Sequence, residues 1–246
     1  MTSTLAVIPA RAGSKRLPNK NQLPFLGKPL ILWTVDFAIK FGGFDLVMVT
    51  TDSPEIADLA RNAGAHVPWL RPVELASDTA TSIDVVLHAV DNVNSHCNKF
   101  ERVALLQPTS PIRLSDRWDQ ASRYLDEGAP AAIGVDPACS HPYWTYFMDE
   151  QGKLAPCFPE GVATRSQDLP HACVPNGAMY LTEVVSLRTH RSFTPLGTRG
   201  VVCSEPVESI DIDTAAFCAN IDFTGVAYNP KLTGHSSLKI YGMPTF

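Results

Sequence analysis

From residue 5 to residue 135 the chain alternates short apolar runs with stretches of helical spacing, and this alternation restricts the fold more than any other feature. The runs at 5–8, 46–49, 103–106 and 131–135 lack polar alternation, so each reads as a strand buried on both faces. Between them, 29–40 places Leu30, Trp33, Thr34, Phe37 and Ala38 on one helical face and stops at Gly42-Gly43. Ser53 reads as an N-cap, with Pro54 at the first helical position and Glu55 and Asp58 near the positive helix end; this helix ends near Gly64. Residues 66–70 read as extended, and 82–93 and 115–125 as two further helices. Strands alternating with helices predict an α/β fold: a mostly parallel, doubly wound, Rossmann-like sheet with right-handed crossovers. Ligands of such sheets sit at the carboxyl ends of the strands.

After Asp136 the pattern breaks. Residues 141–148 are aromatic-rich and 152–168 irregular, which reads as an insertion of the kind that forms lids or subunit interfaces. Residues 180–181 and 201–202 return to the sheet, while 229–246 shows little periodicity and is assigned no function. The chain therefore reads as a single domain over 1–246, with an insertion within about 137–200.

A chain of 246 residues with 45% hydrophobic residues can bury a sizeable core, and a net charge of −5 does not fit a general nucleic-acid or membrane-surface binder. The six cysteines are scattered, without zinc spacing, and read as reduced thiols of a cytoplasmic protein. Neither a leader peptide nor an apolar stretch of membrane-spanning length is visible.

Against that mildly acidic background, Arg11, Lys15, Arg16 and Lys20 crowd into one loop directly after the first strand. A solvated charged loop is the bland alternative. Pro9, Pro18 and Pro24 stiffen this one, and backbone N–H groups beyond a parallel strand aim at anions, so a polyphosphate fits better. Neither G-x-x-x-x-G-K-[ST] nor G-x-G-x-x-G is present there, which disfavours a P-loop NTPase and a dinucleotide-binding dehydrogenase.

SIDIDT at 209–214 has period-two alternation that puts Asp211 and Asp213 on one face and Ile210 and Ile212 on the other. Two carboxylates on one face repel unless a cation lies between them, and Mg²⁺ prefers oxygen ligands shared with phosphates. Asp211 and Asp213 are therefore the candidate metal site, with Mg²⁺ as the cofactor. A helix cap before 215–220 is the alternative, and it accounts for Asp213 alone.

IPARAGSKRLPNKN at 8–21 resembles the signature of sugar-activating nucleotidyltransferases, more narrowly the cytidylyltransferases of nine-carbon α-keto acid sugars. RPVELASDTATSIDV at 71–85, LLQPTSPIR at 105–113, RSQDLP at 165–170, PNGAMYL at 175–181 and SIDIDT agree in order, so the resemblance spans about residues 5–220. The chain resembles the CMP-sialic acid synthetase (N-acylneuraminate cytidylyltransferase) family, which has a nucleotide-diphospho-sugar transferase type of fold with a small dimerisation insertion.

The resemblance implies CTP and an α-keto acid sugar as substrates, CMP transfer to the sugar's anomeric 2-hydroxyl, and a homodimer. It implies that Arg11, Ser14, Lys15 and Lys20 hold phosphate oxygens, with Ala10 beside the nucleotide and Asn21 at its sugar-phosphate end. Arg71 would donate to the cytosine carbonyl, groups near Ala80 would read the amino group, and Ser82 would contact the nucleotide. A surface ion pair of Arg71 with Glu74 and an N-cap role for Ser82 are the plainer alternatives. Arg11, Lys20, Asp211 and Asp213 would carry catalysis.

Gln107, Arg165 and Tyr180 sit at family positions facing the sugar, Arg165 on its carboxylate, although a plain surface arginine is the alternative. Phe193 would reach across a dimer interface or else pack in the core. Val174 stands where the family often has arginine, and Trp144 where some members have lysine, which leaves legionaminic, pseudaminic and deaminated sialic acids open as acceptors. The competing readings are a cytidylyltransferase for the eight-carbon 3-deoxy-manno-octulosonate and a CTP-binding module without catalysis. His88 reads as structural; His141 and His171 are left open.

Overall fold

In the computed structural model, which describes residues 2–14, 17–96, 100–161 and 165–213, each of the four apolar runs becomes a strand of one six-stranded sheet. Strand β1 (Thr4–Pro9) leads through a small hairpin, β2 (Pro24–Phe25) and β3 (Lys28–Pro29), into helix α1 (Leu30–Phe41). There follow β4 (Leu46–Thr50), α2 (Pro54–Asn62), the single turn α3 (Val73–Ala76) and α4 (Ser82–His96). Then come β5 (Arg102–Leu105), α5 (Ser115–Asp126) and β6 (Ala131–Pro137). A second hairpin, β7 (Tyr146–Met148) and β8 (Leu154–Pro156), precedes β9 (Cys173–Glu183), α6 (Val184–His190) and β10 (Arg199–Val202).

The strand order is β10-β6-β9-β5-β1-β4. β1 pairs in parallel with β4 on one side and β5 on the other, so the winding reverses at β1. That reversal opens a crevice beyond its carboxyl end. β10 is parallel to β6, whereas β9 runs antiparallel between β5 and β6. The mostly parallel expectation therefore holds, with one strand reversed. The chain leaves β6 at its carboxyl end, makes the β7–β8 hairpin, and re-enters the sheet from that same end, so β9 runs back down. Of the 137–200 span, β9 and the first half of β10 belong to the central sheet, and the excursion between β6 and β9 lies at 138–172.

Alternation along β1 shows why the sheet is covered twice. Ala6 and Ile8 face α1, α2 and α5 through Ile31, Val35, Ile56, Ala60, Trp118 and Leu125. Leu5 and Val7 face α4 and α6 through Val86, Val90, Val93 and Leu187. Both faces bury apolar area, at about 25 cal/mol per Å² removed from water.

The local signals act as read, with small shifts. Ser53 Oγ accepts the Ile56 N–H at 3.2 Å, a cap whose loss costs about 1 kcal/mol. Gly42 stops α1 with φ 71°, a conformation that favours glycine. Pro29 lies just outside α1, because its φ and ψ are extended. The cap of α4 is Thr81, whose Oγ1 accepts the Asp84 N–H at 3.1 Å, so Ser82 opens that helix and does not cap it. α3 carried no periodic signal in the sequence. Among the described residues no helix is long and apolar enough to cross a membrane.

Candidate active site

A cleft of about 690 Å³ opens at the carboxyl ends of β1 and β5, where the winding reverses. Five segments wall it: the loop after β1, the stretch from Arg71 to Val85, the turn after β5, the first part of β9, and Asp211 with Asp213.

The first loop is held from beneath. Leu17 packs into a small apolar cluster with Phe25, Leu30, Trp33 and Ile212. Asn21 is buried and its Nδ2 donates to the Arg11 carbonyl at 3.1 Å, closing the loop on itself. The Ala12 N–H donates to Asp52 Oδ1 at 2.9 Å, tying the loop to the end of β4. Arg11, Ser14, Lys20 and Asn21 all line the cleft. Lys15 lies outside the described residues. Ala10 does not line the cleft: it is buried, and its N–H is spent on the Thr50 carbonyl at 3.0 Å, so it supports the loop from behind.

The two described cations expected to hold phosphate face carboxylates. Arg11 Nη1 donates to Asp78 Oδ1 at 2.8 Å, and Lys20 Nζ to Asp213 Oδ1 at 2.7 Å. Asp78, part of the motif quoted above, received no role from the sequence, because a carboxylate runs against the sign expected beside phosphate.

Arg71 is 6% exposed, yet it lines the cleft. Its N–H donates to the Thr51 carbonyl at 2.7 Å, and Nη1 makes a long contact of 3.4 Å to the Leu75 carbonyl. Nη2 stands 3.9 Å from Asp52, and neither it nor Nε has a hydrogen-bond partner. Burial pushes the Arg71 pKa down, Asp52 pulls it up, and Arg11 pushes it down. The surface pairing with Glu74 is not what forms. Buried donors without partners are rare in folded proteins, and here they border a cavity. Ala80 and Ser82 line the same wall.

Across the cleft stand Gln107, Pro108 and Thr109 after β5, and Pro175, Asn176, Gly177 and Tyr180 on β9. Burial raises the Tyr180 hydroxyl pKa, and the charge of Asp211 raises it further. Asn176 Nδ2 donates to Asp136 Oδ1 at 3.0 Å, and its Oδ1 accepts the Ala178 N–H at 3.1 Å, which fixes the turn.

Asp211 and Asp213 share the cleft as the alternation predicts, although the segment is extended coil and no sheet strand. Ile212 between them is fully buried, and its N–H donates to the Thr109 carbonyl at 2.7 Å. Just upstream, the turn Pro206–Ser209 carries a capping box of Glu205 and Glu208. Arg117 on α5 pairs with the buried Glu208, Nη2 to Oε2 at 3.2 Å. Sequence reasoning missed Arg117 and Glu208 because their partnership spans ninety-one positions and leaves no periodic trace. Residues 215–220, the proposed helix behind the capping alternative for Asp213, lie outside the described residues.

Two expected acceptor residues are not brought to the cleft. The Arg165 side chain is 73% exposed and pairs with Asp168 at 2.8 Å, which makes it a surface arginine here. Phe193 packs against Tyr180, ring centroids 5.4 Å apart, on the α4–α6 side of the core. It touches the site only through that ring. Trp144 and Val174 are exposed and outside the lining. His141 accepts the Tyr143 N–H on Nδ1 and stands 3.1 Å from the Pro170 carbonyl through Nε2, away from the cleft. His171 and His88 are likewise outside the lining, and His88 sits edge-on to Trp69.

The family model for cytidylyltransferases matches residues 5–146. The chain is 38% identical over 216 residues to a CMP-N,N'-diacetyllegionaminic acid synthase of Legionella pneumophila, covering 85% of this chain and 90% of that one. It is 31% identical over 232 residues to a pseudaminic acid cytidylyltransferase of Campylobacter jejuni, covering 91% and 95%. Among solved structures, a CMP:2-keto-3-deoxy-manno-octonic acid synthetase complexed with CTP superposes with a TM-score of 0.62 at 18% identity, over 87% of this chain and 95% of that one. That likeness is one of fold, a central sheet with the same helical cover. With the model matching more than half of the chain, and the Legionella relative aligned over most of both lengths, the chain belongs to the cytidylyltransferase family.

Proposed function

We propose that the cleft binds CTP and transfers its CMP moiety to the anomeric 2-hydroxyl of a nonulosonic acid, releasing pyrophosphate. The observation that carries this is the polarity of the cleft. Arg71, buried with unpartnered donors, lines it together with Ala80 and Ser82, and the cations Arg11 and Lys20 line it paired with Asp78 and Asp213. The Arg71 donors suit the carbonyl edge of a small base, and the two cations suit a triphosphate.

In this reading the acceptor's 2-hydroxyl oxygen attacks the α-phosphorus, the bond from that phosphorus to the pyrophosphate oxygen breaks, and the hydroxyl proton departs. Arg11 and Lys20 exchange Asp78 and Asp213 for phosphate oxygens and stabilise charge that grows in the transition state. Fixed cations contribute most when they are held before the reaction, and the Leu17 and Asn21 anchors hold this loop.

Asp211 and Asp213 fit a Mg²⁺ ion: two carboxylates line the cleft, and a lysine ammonium already stands at Asp213. Bound there, the ion would neutralise phosphate charge and make the attacking hydroxyl more acidic. Gln107 and Tyr180 would face the acceptor sugar. The two relatives named above act, by name, on a legionaminic and a pseudaminic acid, which favours those over sialic acid itself. A homodimer is part of the proposal, through the β7–β8 hairpin, where Phe147 is 70% and Met148 72% exposed. A cytoplasmic location completes the proposal.

Pyrophosphate release from CTP and Mg²⁺ that depends on an added 2-keto acid tests the reaction. CTP binding without release, for every nine-carbon acid, would contradict it.

A further inference from the structure

Arg113 ends the stretch after β5, on the side of the turn away from the cleft. It is 3% exposed. Each of its three nitrogens donates: Nε to the Ala178 carbonyl at 2.8 Å, Nη1 to Thr34 Oγ1 at 3.0 Å, and Nη2 to the Gln107 carbonyl at 2.6 Å. Every one of these acceptors is neutral. Burial alone pushes the Arg113 pKa down to about 9, so the guanidinium is charged near neutrality. An ion held this deep without a carboxylate is costly, and its hydrogen bonds to carbonyl oxygens are of the strong, charge-assisted kind.

The acceptors come from three elements. Thr34 is on α1, Gln107 follows β5, and Ala178 is on β9. Two of them abut the cleft. Gln107 lines it, and Ala178 directly follows the lining residue Gly177. Gly177 has φ +77°, and a Cβ there would stand 3.1 Å from Gln107 Oε1, so the Gln107 side chain lies against this backbone. The turn is stiff: the Ser110 N–H also donates to the Gln107 carbonyl at 3.1 Å, and Pro108 and Pro111 flank it. Two residues after Gln107, the Thr109 carbonyl receives the Ile212 N–H, which places Asp211 and Asp213.

We propose that Arg113 is a positioning residue: its buried guanidinium clamps the Gln107 and Ala178 carbonyls and thereby sets the acceptor side of the cleft against the Asp211–Asp213 segment. It touches neither substrate. The inference rests on the function proposed above and adds to it the element that controls acceptor placement. The planar fork explains why arginine stands here, since its three nitrogens reach acceptors spread around the guanidinium plane, whereas a lysine ammonium donates from a single atom. The CTP side, built from the first loop and Arg71, has no contact with Arg113 among the described hydrogen bonds.

The test compares Arg113→Lys and Thr34→Val with the unaltered enzyme, using whichever 2-keto acid sugar the unaltered enzyme turns over. Arg113→Lys should raise the acceptor KM by about tenfold or more and lower kcat, with CTP affinity from direct titration changed by less than about twofold. Thr34→Val removes one of the three contacts far from substrate, and should raise the acceptor KM by about two- to threefold with CTP affinity unchanged. It also decides the matter if Arg113→Lys fails to fold. A purely structural arginine would lower the melting temperature and leave the acceptor KM unmoved, or weaken both substrates alike; either result overturns the proposal. Turnover of the eight-carbon acid alone would overturn the acceptor class, while the KM ratio, measured on that acid, would still judge Arg113. Turnover of no acid overturns both.

Discussion

In the proposed reading, Arg11 and Lys20 are phosphate-binding cations that the fold keeps in place before phosphate arrives. Each is paired across the cleft, with Asp78 and Asp213 respectively. The Arg11–Asp78 pair is half-exposed, and such pairs contribute about 0.5 kcal/mol, so a triphosphate displaces it cheaply. Asp78 then remains as a negative charge near the incoming phosphates. Asp78→Asn should therefore tighten CTP binding by about two- to fivefold, as read by calorimetric titration, because Arg11 loses a competitor. Weaker binding would show that Asp78 orders Arg11 for phosphate instead.

At this scale placement was legible where charge and spacing carry the message: Arg11 and Lys20, and Asp211 with Asp213, all line the cleft. It was illegible where a long-range partner decides. Arg71 is buried and Arg165 is exposed, although the motif around each carries the same expectation of a substrate contact. Asp168, three positions on, sits on the same short turn as Arg165 and takes it to the surface.

Among the elements, strands and helices followed their periodicities closely, because apolar runs and caps are local. The direction of β9 was not legible. Period-two alternation looks the same in a parallel and an antiparallel strand, and only the path of the chain around the β7–β8 hairpin decides it. Helix α4 supplies a prediction. His88 on its buried side packs edge-on to Trp69, ring centroids 6.1 Å apart, and Nδ1 has no hydrogen-bond partner. Burial lowers the His88 pKa below 6.5, with Asp91 opposing and Arg71 reinforcing. The unfolded chain thus binds a proton that the fold disfavours. The stability associated with neutral His88 is present above the unfolded value of about 6.5 and is lost as pH falls through the lower folded value. Melting temperatures should decline from pH 7.5 to 5.5, and His88→Gln should flatten part of that decline. An unchanged slope in His88→Gln would remove the histidine from the balance.

For the whole molecule, the reversal of winding at β1 is what turns scattered motifs into one site. Segments from residues 9–14, 20–21, 71–85, 107–109, 175–180 and 211–213 converge because β1 lies between β4 and β5. The crevice was legible from the βαβ alternation. The antiparallel wall that completes it was not, since it depends on β9. The exposed β7–β8 hairpin bears on assembly. Light scattering should give a dimer for the unaltered chain and a monomer for the double substitution Phe147→Glu, Met148→Lys. A monomeric unaltered chain would remove the hairpin interface.

The most direct measurement of the central claim follows the α-phosphorus. CTP labelled with ³²P at that position is incubated with Mg²⁺ and, separately, with legionaminic, pseudaminic, N-acetylneuraminic and eight-carbon 2-keto acids. The proposed reaction moves the label into a CMP-sugar with a nine-carbon acid and leaves the pyrophosphate unlabelled. Label that stays in CTP with every nine-carbon acid, or that moves only with the eight-carbon acid, would contradict it.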